Sequence, residues 1–159
     1  MEYYTLARVI HVIAIVIWIG GVAMVTSVLL PSIKRFKSAE EQIKFFELVE
    51  NRFARQAKIT TVLTVLSGVY MLWVTDGWNR FLDVSHWWLW AMTFIWFVFT
   101  MVLFVLEPLV LHRWFLEKAH IDPINTFKKI QRFHWILLIL SLLTTSAAVA
   151  GSHGWFWIQ

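Results

Sequence analysis

The chain has 159 residues, of which 59% are apolar and 15% charged, with eleven Trp and no Cys. A water-soluble domain carries about 25% charged residues, so a watery single-core enzyme is excluded, and the aromatic content excludes disorder. The lack of Cys removes disulfides, iron–sulfur clusters, thiolate zinc and Cys nucleophiles, and the net charge of +4 takes its meaning from where the charges lie.

An α-helix needs about 20 mostly apolar residues to cross the hydrocarbon core, because each residue rises about 1.5 Å and no backbone polar group can stay unpaired there. Four segments qualify, at about residues 6–33, 57–75, 85–111 and 132–156. The first is free of Asp, Glu, Lys and Arg from Val9 to Ile33. It begins Met1-Glu2-Tyr3-Tyr4, without the basic start and short apolar core of a cleaved signal, and reads as a retained span. Ser38-Ala39-Glu40-Glu41 fits a capping box, and Ala39, Ile43, Phe46, Val49 and Phe53 then share one helical face. That pattern predicts an amphipathic helix lying at the interface between spans one and two. The second span is softened by Thr60, Thr61, Thr64, Ser67 and Gly68, small and hydroxylated residues that let helices approach closely inside a bundle. Asp122-Pro123 reads as an N-cap followed by Pro at the first helical position, where the fourth helix begins. The fold class expected is therefore an all-α integral membrane protein, a single-domain four-transmembrane-helix bundle with an amphipathic interfacial helix between helices 1 and 2.

Lys34, Arg35, Lys37, Lys44, Arg52, Arg55 and Lys58 fall between spans one and two, and Arg113, Lys118, Lys128, Lys129 and Arg132 between three and four. Twelve of the fourteen Lys and Arg thus lie on one side, with Arg8 and Arg80 on the other. The positive-inside rule makes the basic loops cytoplasmic and both termini periplasmic in a bacterial inner membrane. The positive charge then serves topology and contact with anionic lipid, not nucleic acid. Trp73, Trp78, Trp87, Trp88, Trp90, Trp155 and Trp157 gather at the outer ends of the spans and Trp114 and Trp135 at the inner edge, as an interfacial belt does, while Trp18 and Trp96 lie deeper.

Ionisable groups at membrane depth are costly and mark function. The histidines sort into two layers. His11, His86 and His153 fall on the outer side, His112 and His134 on the inner side, and His120 lies in a loop where it is solvated. At about 1.5 Å per residue, His11 lies about 8 Å and His153 about 5 Å below the outer edge. Haem b needs one or two neutral imidazoles from facing helices, in a slot lined by apolar and aromatic groups, and no Cys. The outer pair expected is His11 with His153, with His86 competing for the second position, and a second haem would use His112 and His134. Arg8 sits one turn outward on the face of His11, placed for a propionate or for snorkelling to the interface, and Trp18 is placed to pack on a macrocycle. Glu107, before Pro108, wants a partner at the inner end, for which Arg52 and Arg55 have the right depth; those arginines are also expected to orient propionates, a quinone or lipid. The alternative chemistry is copper, with His11, His86 and His153 as a tris-imidazole site, although Met24, Met71, Met92 and Met101 are too scattered for a thioether path. The Gly20-Gly21 pair is expected to allow close helix contact.

The stretch from His11 through Trp18 to Gly20-Gly21 resembles the first helix of the copper-resistance D (CopD) membrane domain, where a His is followed seven residues later by Trp and then a Gly pair. Arg52-Phe53-Ala54-Arg55-Gln56-Ala57, leading to Ser67-Gly68-Val69, is similar to that family's entry into its second helix. The resemblance covers residues 6 to 75, and beyond them extends only to the span pattern. The first helix also resembles that of the HemJ type of protoporphyrinogen oxidase, a short haem b protein. That family follows a third-span His closely with Lys, whereas His86 here is followed by Trp87, Trp88, Leu89 and Trp90. These readings imply a membrane redox protein that holds one or two haem b groups and exchanges electrons with a quinone or a protein partner, alone or as a homo-oligomer. Copper handling and a purely structural membrane subunit are the alternatives.

Overall fold

Four long helices account for nearly all of the computed structural model, which describes residues 2–36 and 38–155 and has no strand among them. Lys37 and Trp157, two residues given topological roles above, lie outside the described residues. The helices are α1 (Glu2–Ile33), α2 (Ala39–Val74), α3 (Val84–Ile121) and α4 (Pro123–Ser152), each long and apolar enough to cross a membrane. The bundle's outer surface agrees with that. Val16, Leu66, Phe94 and Leu143 are each more than 60% exposed, an apolar exterior that water would not tolerate over such an area. For brevity, the end carrying the α1–α2 and α3–α4 connections is called the basic end.

Local chemistry sets the helix starts. Ser38 accepts a hydrogen bond from the Glu41 backbone N–H at the start of α2, and Asp122 accepts one from the Asn125 N–H at 3.1 Å with Pro123 in the first turn of α4, as the capping pattern requires. Between α2 and α3 the chain turns through a 3-10 segment, Gly77–Leu82, entered by Asp76 in the left-handed conformation at φ 47°.

Two prolines lie close to widened helix. The Val25–Leu29 turn of α1 is π-helical just before Pro31, and Val102–Leu111 of α3 is π-helical around Pro108. Proline has no N–H and crowds the carbonyl four residues back, so the ladder shifts to wider bonds instead of breaking. The His112 N–H accordingly donates to the Glu107 carbonyl, five residues back.

The amphipathic segment after Ser38 is not a separate interfacial helix. It is the first part of α2, which runs unbroken over 36 residues. Its apolar face does not lie on a membrane surface: Ile43 and Phe46 pack with Leu29, Leu30 and Ile33 of α1, Phe115 and Ala119 of α3 and Phe127 of α4. α1, α3 and α4 together give that stripe a protein partner. The rings of Phe46, Phe115 and Phe127 meet pairwise at 4.9, 5.6 and 5.7 Å between centroids. Nearer the middle of the bundle a second cluster joins Trp18 and Val22, Ala57, Ile95, Phe99 and Leu103, and Leu137 and Leu138. The helices pair most extensively as α1 with α2 and α3 with α4, two antiparallel hairpins laid against each other.

Candidate functional site: a cavity at the basic end

Along α1 the residues Ala7, Ala14, Trp18, Val22 and Val25 are buried and His11 is half-buried, at helical spacing on one face. Facing them on α2 are Ala54, Ala57, Thr60, Thr61, Thr64 and Ser67, all buried. Small residues on both sides let the backbones approach, and each α2 hydroxyl returns its proton to a carbonyl of its own helix, as in Thr61 Oγ1 to Ala57 O at 2.6 Å and Ser67 Oγ to Leu63 O at 2.6 Å. His11 bridges this seam. Its Nδ1 lies 2.9 Å from the Thr64 carbonyl and 3.0 Å from Ser67 Oγ. A carbonyl only accepts, so Nδ1 carries the proton and Nε2 keeps the lone pair. A Cβ added to Gly68 would stand 3.2 Å from His11 Cε1, so the ring is closely packed, with the small residues filled by α2 and not by a gap. The Gly pair divides in the same way. A Cβ on Gly21 would collide with the Phe53 ring, whereas one on Gly20 would meet nothing.

The other outer histidines do not join His11 in a metal-holding group. His153 caps the end of α4, exposed, with Nδ1 donating to Val149 O at 2.8 Å. His86 sits ahead of the first regular turn of α3, with Nδ1 at 3.0 Å from Asp83 Oδ2. Among the described residues no set of three or more His, Asp or Glu side chains is gathered so as to hold a metal ion. The tris-imidazole arrangement of His11, His86 and His153 is therefore not assembled. The physical reason is local: each ring is engaged by its own neighbourhood, at a seam, in a turn and at a helix end.

The inner pair is brought together. A cavity of about 500 Å³ opens at the basic end, with both His112 and His134 on its wall. The wall is otherwise mostly aromatic and aliphatic, including Trp18, Phe46, Phe53, Phe99 and Phe133, and its polar members are Glu50, Glu107, His112, Lys129 and His134. Its lining draws on both apolar clusters, so the cavity fills the space between them, where two close-packed regions fail to meet. The volume is within the roughly 300–1,000 Å³ range of small-molecule and cofactor pockets, and a mostly apolar wall with few polar groups is their usual composition.

Each polar group on the wall has a distinct state. His134 Nδ1 donates to the Ile130 carbonyl one turn back, at 2.9 Å, which again leaves Nε2 with its lone pair. Glu107 Oε2 is 3.4 Å from Lys58 Nζ, both side chains being under a third-part and a quarter-part exposed in rough terms, at 33% for Lys58 and 23% for Glu107. The partner of Glu107 is therefore Lys58, not Arg52 or Arg55. Arg52, Arg55 and Ile59 share the exposed face of α2, while Ala54, Ala57 and Lys58 turn inward. Arg8 is also exposed, and none of the three arginines is on the cavity wall, where the cation is Lys129. Among the described residues two buried side-chain polar atoms have no hydrogen-bond partner, the indole N–H groups of Trp18, on the wall, and of Trp88, in the first turn of α3 away from it. The Trp18 ring stands edge-on to Phe99 at 4.8 Å, and the half-buried Glu50 makes no hydrogen bond or ion pair among the described residues. Buried indole N–H groups without a partner are uncommon in a finished interior. Trp96, the other deep indole, is satisfied, donating to Thr61 O at 3.1 Å.

Sequence reasoning missed Glu50, Lys58 and Lys129 as members of a site. Glu50 carried a signal, being an acidic residue one turn from Phe46 and Phe53 on the apolar side of α2. Comparison with known protein families, curated proteins and solved structures finds no match to this chain.

Proposed function

We propose that the protein is a redox module of a bacterial cytoplasmic membrane that would hold haem b in the cavity at its basic end through the imidazoles of His134 and His112, and exchange electrons with a quinone or a protein partner. The basic end faces the cytoplasm in this reading, following the Lys/Arg bias. The observation that carries it is the convergence of two imidazoles on one aromatic-walled cavity of about 500 Å³.

The donor set fits the group. His134 is held by the Ile130 carbonyl through Nδ1, the outer hydrogen bond that fixes a ligating imidazole's tautomer and ring direction. Trp18, Phe53, Phe99 and Phe133 on the wall exclude water and offer flat apolar surface. Lys129 supplies a cation for a carboxylate at the mouth, and Lys58 offsets the charge of Glu107. Haem b bound there would supply a one-electron couple. The principal haem, which His11 and His153 were expected to hold, finds no comparable support, because His11 is closed into the α1–α2 seam, and the reading passes to the inner pair that was expected to hold the second.

Purified protein incubated with haem b should take up one equivalent and show a Soret band with split α and β bands on reduction. Protein that stays colourless overturns the reading, and colourless protein retaining stoichiometric copper moves the assignment to copper handling.

A further inference from the structure

The two cavity imidazoles differ in how firmly they are held. His134 is half-buried in the regular helix α4, and its Nδ1 hydrogen bond to Ile130 O fixes the ring. His112 follows the π-helical turn around Pro108, and its side chain is 46% exposed. Its Nε2 lies 4.0 Å from Glu47 Oε1, beyond hydrogen-bond distance, and its ring makes no hydrogen bond among the described residues. A pinned ring loses no further rotamer freedom when it ligates, whereas a loose, hydrated one must be ordered and dried first. The His112 side is also the polar side. Glu47, its nearest acidic neighbour, is one turn from Glu50 on α2, and Glu50 presents its unpartnered carboxylate to the same cavity.

Resting on the haem reading above, we infer that His134 would hold the haem firmly and His112 only loosely, so that the loaded protein would admit a small exogenous ligand of the carbon monoxide or cyanide class on the His112 side. A pinned His134 would keep the group in place while a released His112 would leave room beside it, and the polarity of the surrounding residues would govern what binds there. The loaded protein would therefore bind small diatomic ligands in addition to carrying electrons.

The test uses the full chain in detergent micelles, loaded with haem b, and reads its absorption spectrum with and without carbon monoxide. The reduced wild-type protein should shift its Soret band on adding carbon monoxide. The variant His112→Ala should keep haem, show a five-coordinate high-spin spectrum, and bind carbon monoxide at a concentration at least tenfold lower. His134→Ala should lose haem affinity at least tenfold. His112→Gln and His134→Gln, with far-ultraviolet circular dichroism, separate ligand loss from unfolding. Equal haem loss from the His112 and His134 variants overturns the inference, as does a wild-type protein indifferent to carbon monoxide. No haem uptake by the wild-type chain instead removes the reading on which it rests.

Discussion

The two halves of the bundle solve the same problem in opposite ways. Toward the aromatic end, a histidine and a ladder of hydroxyls are closed between α1 and α2, with His11 Nδ1 bonded across the interface and small residues filling the space. Toward the basic end, two histidines and two carboxylates face a cavity, and a buried indole N–H and a carboxylate there have no partner. Polar groups in an apolar bundle are retained at a cost. Where a ring is bonded across a filled seam, as His11 is, it acts as a helix-to-helix fastener, and where rings line a void, as His112 and His134 do, they point to a guest. Residue type does not distinguish the two cases; whether the space beside the ring is filled or hollow does.

Substitutions at the seam should change stability and leave ligand binding alone, while substitutions at the cavity should do the reverse. The largest effect is expected where the two regions touch. A Gly21→Leu side chain would be driven into Phe53, a member of the cavity wall, and overpacking of this kind costs about 1–3 kcal/mol. Gly20→Leu meets open space and should be close to neutral. Thermal unfolding in detergent compares the two, and equal destabilisation would break the assignment of close contact to Gly21.

Next comes His11→Ala. It removes the cross-helix hydrogen bonds to Thr64 and Ser67 and should lower stability by about 1–2 kcal/mol, with haem uptake unchanged. A chain that stays equally stable but no longer takes up haem would reverse the comparison and return the axial role to His11.

The smallest effect concerns the entry to α4, outside both regions. Hydrogen bonds from the Asn125 side chain and then its backbone N–H hold the Asp122 carboxyl below the usual carboxylate range. A group whose folded-state affinity for protons is lowered stabilises the fold above its ordinary pKa, and that contribution is lost as pH falls through the folded value. Amide exchange in the first turn of α4 should therefore quicken as pH drops below the ordinary Asp range, after correction for intrinsic exchange. Asp122→Asn should keep the cap and lose the pH dependence. An unchanged profile in that variant would show that the cap does not titrate.

Much of the architecture was legible in the residue order. Four apolar runs, the Ser38 and Asp122 caps and the hydroxyl-rich α2 gave the number of helices, their starts and the helix that turns its polar face inward. The convergence of His112 and His134 at one end also followed from counting residues along spans three and four. Less legible was the fate of the segment around Ile43 and Phe46. An apolar stripe states that it must be covered, without saying whether lipid or protein covers it. The partner of Glu107 was misread for a related reason: depth along α2 ranks Arg52, Arg55 and Lys58 nearly alike, and only the direction of each residue around the helix axis selects Lys58.

By itself, the sequence determined a helical fold with four stretches long and apolar enough to cross a membrane, its basic asymmetry and the rank of its histidines along the helices, because hydropathy and helical rise act along one dimension. Only the tertiary structure decided which layer is closed and which is hollow. That outcome depends on how side-chain volumes from different helices meet, with a π-helical turn at Pro108 altering the helical phase of everything after it, and neither quantity is additive along the chain.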